Sequence, residues 1–288
     1  MIVITMILSS TLGAQSERHG NPKFKYVVLN PPGCQNTTAT AINNAGTVVI
    51  HCQMETTTSW FLYKKRGFHP LEDVNSGGQS YLGINKSENL SGFTDQRGYK
   101  AFLVFQNLLH VIQVRGSSLT EGAGLNDRNE YVGDFRDAAT GAFHGFRARG
   151  AHFATIDIPN STGTAAYGIN NKGWIVGTYD LNNDPNNDRH GFLLREDSVE
   201  TIDVPGMKST APRAINDAGT IAGTVSDTGD IAHGYVSSDG NPIVIDIPGA
   251  IHTQIWGINN DGDFVGSYLD PAQVRHAFVG NLRRNLGR

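Results

Sequence analysis

Four histidines sit at matching places in the chain, in His144-Gly145-Phe146, His190-Gly191-Phe192, His233-Gly234-Tyr235 and His276-Ala277-Phe278. Imidazole is the commonest metal ligand, so four copies invite a metal-site reading. The competing reading is one histidine per structural unit, bonded within its own sheet to the recurrent Asp157, Asp203 and Asp246. Buried polar groups are nearly always paired, which favours that scaffold role. A second candidate is the run from Asp180 to Asp188, where Asp180, Asn182, Asp184, Asn186 and Asp188 alternate. Such oxygens suit Ca²⁺, but the run lacks the mid-loop Gly and distal Glu of an EF-hand. A solvated polar turn is the plain alternative. Nothing matches a nucleophile elbow, a zinc helix or a phosphate loop, so no catalytic residue is assigned. Glu121, Arg213 and Trp256 break an otherwise regular pattern. They are the ligand-binding candidates, with ordinary packing as the rival account.

The elements that must position these residues follow from an internal repeat. One phrase recurs six times: TAINNAG around Ile42, LGINKSE around Ile84, AGLNDRN around Leu125, YGINNKG around Ile169, RAINDAG around Ile215 and WGINNDG around Ile258. The spacings are 42, 41, 44, 46 and 43 residues. A period of this length kept over the whole chain means one repeat architecture rather than independent domains. Each unit reads as four short strands. In the fourth these are 164–170, 174–179, 191–194 and 200–204, with the repeated histidine on the third. The Asn that opens the first turn can bond backbone two residues on. Gly46, Gly173, Gly219 and Gly262 then supply the left-handed residue of a three-residue hairpin. Asn129 tolerates that conformation. Glu88 does not suit it, so the second turn is expected to be rearranged. Gly133, Gly177, Gly223 and Gly266 mark close approach by a backbone or ring on the second strand. Pro-Gly pairs such as Pro205-Gly206 end the fourth strand and cross to the next unit.

This pattern predicts an all-β, six-bladed β-propeller of four-stranded antiparallel blades over residues 24–281. The chain opens with a lone outer strand, Phe24 to Asn30, and ends on the third strand of the sixth unit near Val279. The leading strand should therefore complete the last blade and remove exposed edges. In that arrangement the symmetric histidines diverge from the axis and cannot meet on one ion. Cys34 and Cys52 fall on the same face of the first unit, so in an exported protein a disulfide between them is expected, two buried thiols packing as small hydrophobes being the alternative. It would close a loop worth roughly 3 kcal/mol in the chain-entropy account. Residues 1–20 form a signal-like N-terminus, apolar from Met1 to Leu8 with a cleavage-like stretch near Ala14 but no basic start. Residues 282–288 form a short tail.

These phrases resemble the bacterial extracellular HAF repeat family, named for the triplet that stands here as His276-Ala277-Phe278. The flanking Thr155-Ile156-Asp157-Ile158-Pro159 and Gly168-Ile169-Asn170-Asn171 fit the same pattern. The resemblance covers about residues 24–281. Ser59-Trp60-Phe61 and Lys100-Ala101-Phe102 depart from it where His is expected. It implies a secreted, periplasmic or cell-surface protein and assigns no chemistry.

Composition bears on partners. The net charge is −4 and the pI near 6.2, so no nucleic-acid partner is indicated. Past the first residues no segment has the ~20 apolar residues that a membrane-spanning helix needs. The chain reads as a monomeric recognition scaffold for a glycan, protein or other surface ligand, without a cofactor unless the Asp180–Asp188 loop takes calcium. The rival function is a propeller hydrolase or lyase, which would require unlike ionisable groups meeting at one channel mouth with perturbed pKa values.

Overall fold

The computed structural model describes residues 24–71, 78–95, 98–106, 108–150, 152–181, 188–196 and 198–282. The signal-like N-terminus and all of the tail except Leu282 lie outside the described residues. The protein is an all-β propeller, and no helix occurs among the described residues. Its strands form four four-stranded sheets and one eight-stranded sheet. Three of the four-stranded sheets are antiparallel meanders, as in Asn36–Ile42, Val48–Gln53, Thr58–Lys64 and Gly67–Pro70, and the fourth takes its outer strand from the other end of the chain. The eight-stranded sheet contains two such meanders, joined by the single parallel pair Phe143 with Gly163.

Strand limits shift from the sequence expectation by a few residues. In the fourth unit they are Ser161–Ile169, Ile175–Leu181, Arg189–Arg195 and Ser198–Ile202. The last strand stops before Val204 because the Val204 amide turns inward to the Thr210 hydroxyl at 3.0 Å. Ile158 and Ile247 do the same with Thr164 and Thr253. Those prolines and side-chain bonds together end strand pairing at each crossover.

The recurrent asparagines do more than open turns. Asn43 Oδ1 accepts from the amides of Ala45 and Thr47, while its Nδ2 donates to the Asn85 carbonyl at 2.9 Å. The same donation runs from Asn85 to Asn126, Asn126 to Asn170, Asn170 to Asn216 and Asn216 to Asn259. Asn259 returns to the Asn43 carbonyl at 3.4 Å. One buried side chain per unit thus shapes its own hairpin and ties it to the next around a closed circuit.

Glu88 corrects an expectation. Its turn is not rearranged: Glu88 takes φ 57° and its amide donates to the Asn85 carbonyl, as Gly46 does to Asn43. The left-handed cost is offset by Lys64, whose ammonium lies 2.6 Å from the Glu88 carboxylate, and by a hydrogen bond from Thr47. A Cβ at Gly133 or Gly177 would strike the facing carbonyl and the ring of Phe146 or Phe192, which explains those glycines.

The leading strand closes the structure. Lys25–Val28 pairs antiparallel with Arg275–Asn281, with Val27 opposite Val279 and Val28 opposite Phe278. Phe24 and Tyr26 pack on the rings of Phe264 and Phe278. Cys34 and Cys52 are disulfide-bonded, with Cα atoms 5.4 Å apart.

Candidate functional site

The repeated histidines are scaffold. His144, His190 and His233 bond through Nδ1 to Asp157, Asp203 and Asp246 at 2.7, 3.0 and 2.8 Å. His276 differs because the clasp strand carries Asn30 where the others have Asp. It meets Asn30 at 3.3 Å and Asp270 at 3.0 Å instead. Of the calcium candidates, Asn182, Asp184 and Asn186 lie outside the described residues. Asp180 faces Arg189 at 3.4 Å. No group of three or more His, Cys, Asp or Glu side chains suited to a metal occurs among the described residues.

The unlike residues gather elsewhere. Every innermost strand carries a β-bulge, with the pairing register slipping at Ala39/Ala41, Tyr81/Gly83, Gly122/Leu125, Ala166/Gly168, Pro212/Ala214 and Ile255/Gly257. A bulge re-aims the extra side chain. Here the residues passed over include Thr40, Leu82, Ala123, Tyr167, Arg213 and Trp256, and all six line one cavity of about 410 Å³ at the channel mouth. They occupy the position just before each Gly/Ala-Ile/Leu-Asn phrase. Nothing else in that phrase varies so widely in chemistry.

Glu121, Arg213 and Trp256 line this one cavity together. Sequence reasoning missed Asp134, Tyr167 and Arg189, which share the cavity. Asp134 had a signal: it follows Gly133 where other units place Thr178, Thr224 and Ser267 after their glycines.

Glu121 and Asp134 are direct partners across adjacent strands. Asp134 is only 7 % exposed. Burial first, then the neighbouring Glu121 charge, pushes its carboxyl up to about 7, against a smaller pull from Arg213 and Arg189. Burial likewise raises the Glu121 carboxyl above its ordinary value. The Arg213 guanidinium lies between two rings, its carbon 4.2 Å from the Tyr167 centroid and 4.8 Å from that of Trp256. Arg213 Nε and Trp256 Nε1 are buried without a hydrogen-bond partner.

Below this cavity the bore narrows. A smaller void of about 70 Å³ is lined by Ile42, Leu125, Ile169, Ile215 and Ile258. On the far side another, about 60 Å³, is lined by those residues, Ile84 and a polar rim. In that rim Asn171 Nδ2 donates to both Asp127 and Asp217, and Asn260 Nδ2 to Asp217. The six aliphatic side chains, each 5–8 % exposed, form a collar between the two ends.

Fold and cavity together define a β-propeller with a side-chain-lined pocket at one mouth of its axis. No protein-family description matches the chain, and no curated protein matches it. Solved structures match in fold. TolB from Acinetobacter baumannii aligns with a TM-score of 0.55 at 10 % identity over 87 % of this chain. The chain spans 65 % of that protein's length. A putative TolB from Agrobacterium tumefaciens aligns with a TM-score of 0.56 at 13 % identity, over 88 % of this chain and 92 % of its own. A mutant of AofleA from Arthrobotrys oligospora gives 0.52 at 8 % identity, over 92 % and 88 %. No helix among the described residues is long and apolar enough to cross a membrane.

Proposed function

We propose that this chain is an exported, monomeric, six-bladed propeller of the HAF repeat type that binds a glycan in the channel-mouth cavity. The six copies of the Asn phrase support the blade count, with the two meanders of the eight-stranded sheet taken as separate blades. The disulfide suits an oxidising compartment outside the cytosol. The observation that carries the binding reading is the convergence of unlike bulge residues from all six units on one cavity, with the Arg213 and Trp256 donors unspent. About 410 Å³ falls in the usual range for small-ligand sites, which combine apolar walls with a few directed polar groups. Leu82 and Phe143 supply apolar wall, and Thr40, Thr178, Glu121 and Asp134 supply hydroxyl-matching groups.

The test is a glycan array probed with the purified chain. Retention of a glycan that is lost on Trp256→Ala and on Glu121→Ala supports the reading. No glycan retained, or retention indifferent to both changes, overturns it. A second reading, a glycan hydrolase or lyase, draws on Glu121 and Asp134, adjacent carboxyls that both hold protons unusually well. It requires that a retained glycan be cleaved on prolonged incubation and that Asp134→Asn stop the cleavage.

A further inference from the structure

Resting on that reading, we infer that the bound glycan unit carries a carboxylate and that the edge of the Arg213 guanidinium receives it. The rings of Tyr167 and Trp256 lie against this guanidinium, their centroids 4.2 and 4.8 Å from its carbon. Its rim of N–H groups is the part that can hydrogen-bond. Nε on that rim is buried and unpartnered, and no described residue lies within ion-pair distance of Arg213. A cation withdrawn from water without a partner is costly unless a counter-charge arrives.

The cavity does not supply that charge itself. Glu121 and Asp134 line the same space, yet neither pairs with Arg213. The other cavity cation, Arg189, already faces Asp180 at 3.4 Å. Arg213 is thus the lining cation without an anion among the described residues. A planar fork held between rings matches a planar carboxylate through two parallel N–H···O bonds. A phosphate, with nearly two charges at neutral pH, would meet one open cation and two carboxyls. A singly charged sugar acid fits that balance.

The neighbouring carboxyls set a pH dependence. The ionisable groups sharing the cavity with Arg213 are Glu121 and Asp134 from the third unit and Tyr167, Asp180 and Arg189 from the fourth, with none on Trp256 or Leu82, and Tyr235 from the fifth lies within its electrostatic reach. Asp134, held protonated up to about 7, offers an O–H to the incoming carboxylate at mildly acid pH. Above that it adds a repelling charge. Sugar carboxylates stay ionised throughout this range. Binding should therefore weaken about tenfold between pH 6 and pH 8, the change expected when one proton on a group titrating near 7 is needed.

The test takes the retained glycan from an array holding acidic, sulfated and neutral glycans, and titrates it by calorimetry against the same glycan with its carboxyls reduced to alcohols. An acidic glycan bound at least tenfold more tightly than its reduced form, with that preference gone in Arg213→Met, supports the inference. The ligand pair needs no protein change, so a misfolded variant cannot decide the outcome. A neutral or sulfated glycan preferred, or reduction without effect, overturns the carboxylate inference and leaves glycan binding standing. No glycan bound of any kind removes both.

Discussion

Replacing Asp134 by Asn should stabilise the protein in a way that depends on pH. The Asp134 carboxyl titrates at about 7 in the folded chain, against an ordinary 3.8. Between these values the native protein holds a proton that the unfolded chain has released. Stability therefore falls as pH rises from about 4 to about 7 and levels off above. A gap of about three pH units at 1.36 kcal/mol each sets a ceiling of about 4 kcal/mol. The carboxamide of the Asp134→Asn variant does not ionise, so the substitution removes this loss, apart from a hydrogen-bonding cost that is the same at every pH. Urea unfolding followed by circular dichroism at pH 5 and pH 8 reads the difference. The variant should gain about 2.6 kcal/mol on the wild type between the two pH values, since only the part of the window above pH 5 is sampled. Carboxyls remote from the Glu121–Asp134 pair shift both proteins alike. Glu130, for example, resists burial and is held down to about 2 by Asn126, Arg147 and Arg128. An unchanged gap between variant and wild type would refute the assignment of a buried, proton-holding Asp134.

Three further outcomes follow from the scaffold. Reducing the Cys34–Cys52 bridge, whose cysteines are 18 residues apart, should cost roughly 3 kcal/mol, seen as a lower urea midpoint in dithiothreitol. Asn170→Ala strands the Lys172 and Trp174 amides, while the Asn216 carbonyl loses one donor and keeps the Gly219 amide. At about 1–3 kcal/mol for each buried group left unmatched, it should lower stability by about 2 kcal/mol or more in calorimetry, whereas exposed Asn241→Ala should change it by less than about 0.5. Glu88→Gly should be near neutral alone but stabilise a Lys64→Met background by about 1 kcal/mol, since only there does the left-handed φ stand without its ion pair. Additive effects in that double-mutant cycle would count against the offset.

Much of this was readable from spacing alone. The Asn phrase marks each inner hairpin, the Pro-Gly pairs mark crossovers, and the unpaired first strand foretells the clasp. The His–Asp pairs were also visible, because both partners recur at a fixed separation. What escaped was whatever depends on a one-residue slip. A bulge changes which way a side chain points without changing the residue types around it. Arg213 and Trp256 stand out by side-chain type, while Tyr167 at the equivalent position is a residue type common in strands. Asp134 escaped because its raised pKa comes from burial opposite Glu121, a cross-strand pairing set by register. The Glu88 turn departs from its local backbone preference because Lys64 approaches from the first unit.

The aliphatic collar has a consequence for what can use the cavity. Ile42, Ile84, Leu125, Ile169, Ile215 and Ile258 ring the bore between its two ends, so the deepest wall a ligand meets is hydrocarbon. A ligand that reaches it must bring an apolar edge there and leave its hydroxyls and charges for the upper walls, because polar groups pressed on hydrocarbon lose their water without a partner.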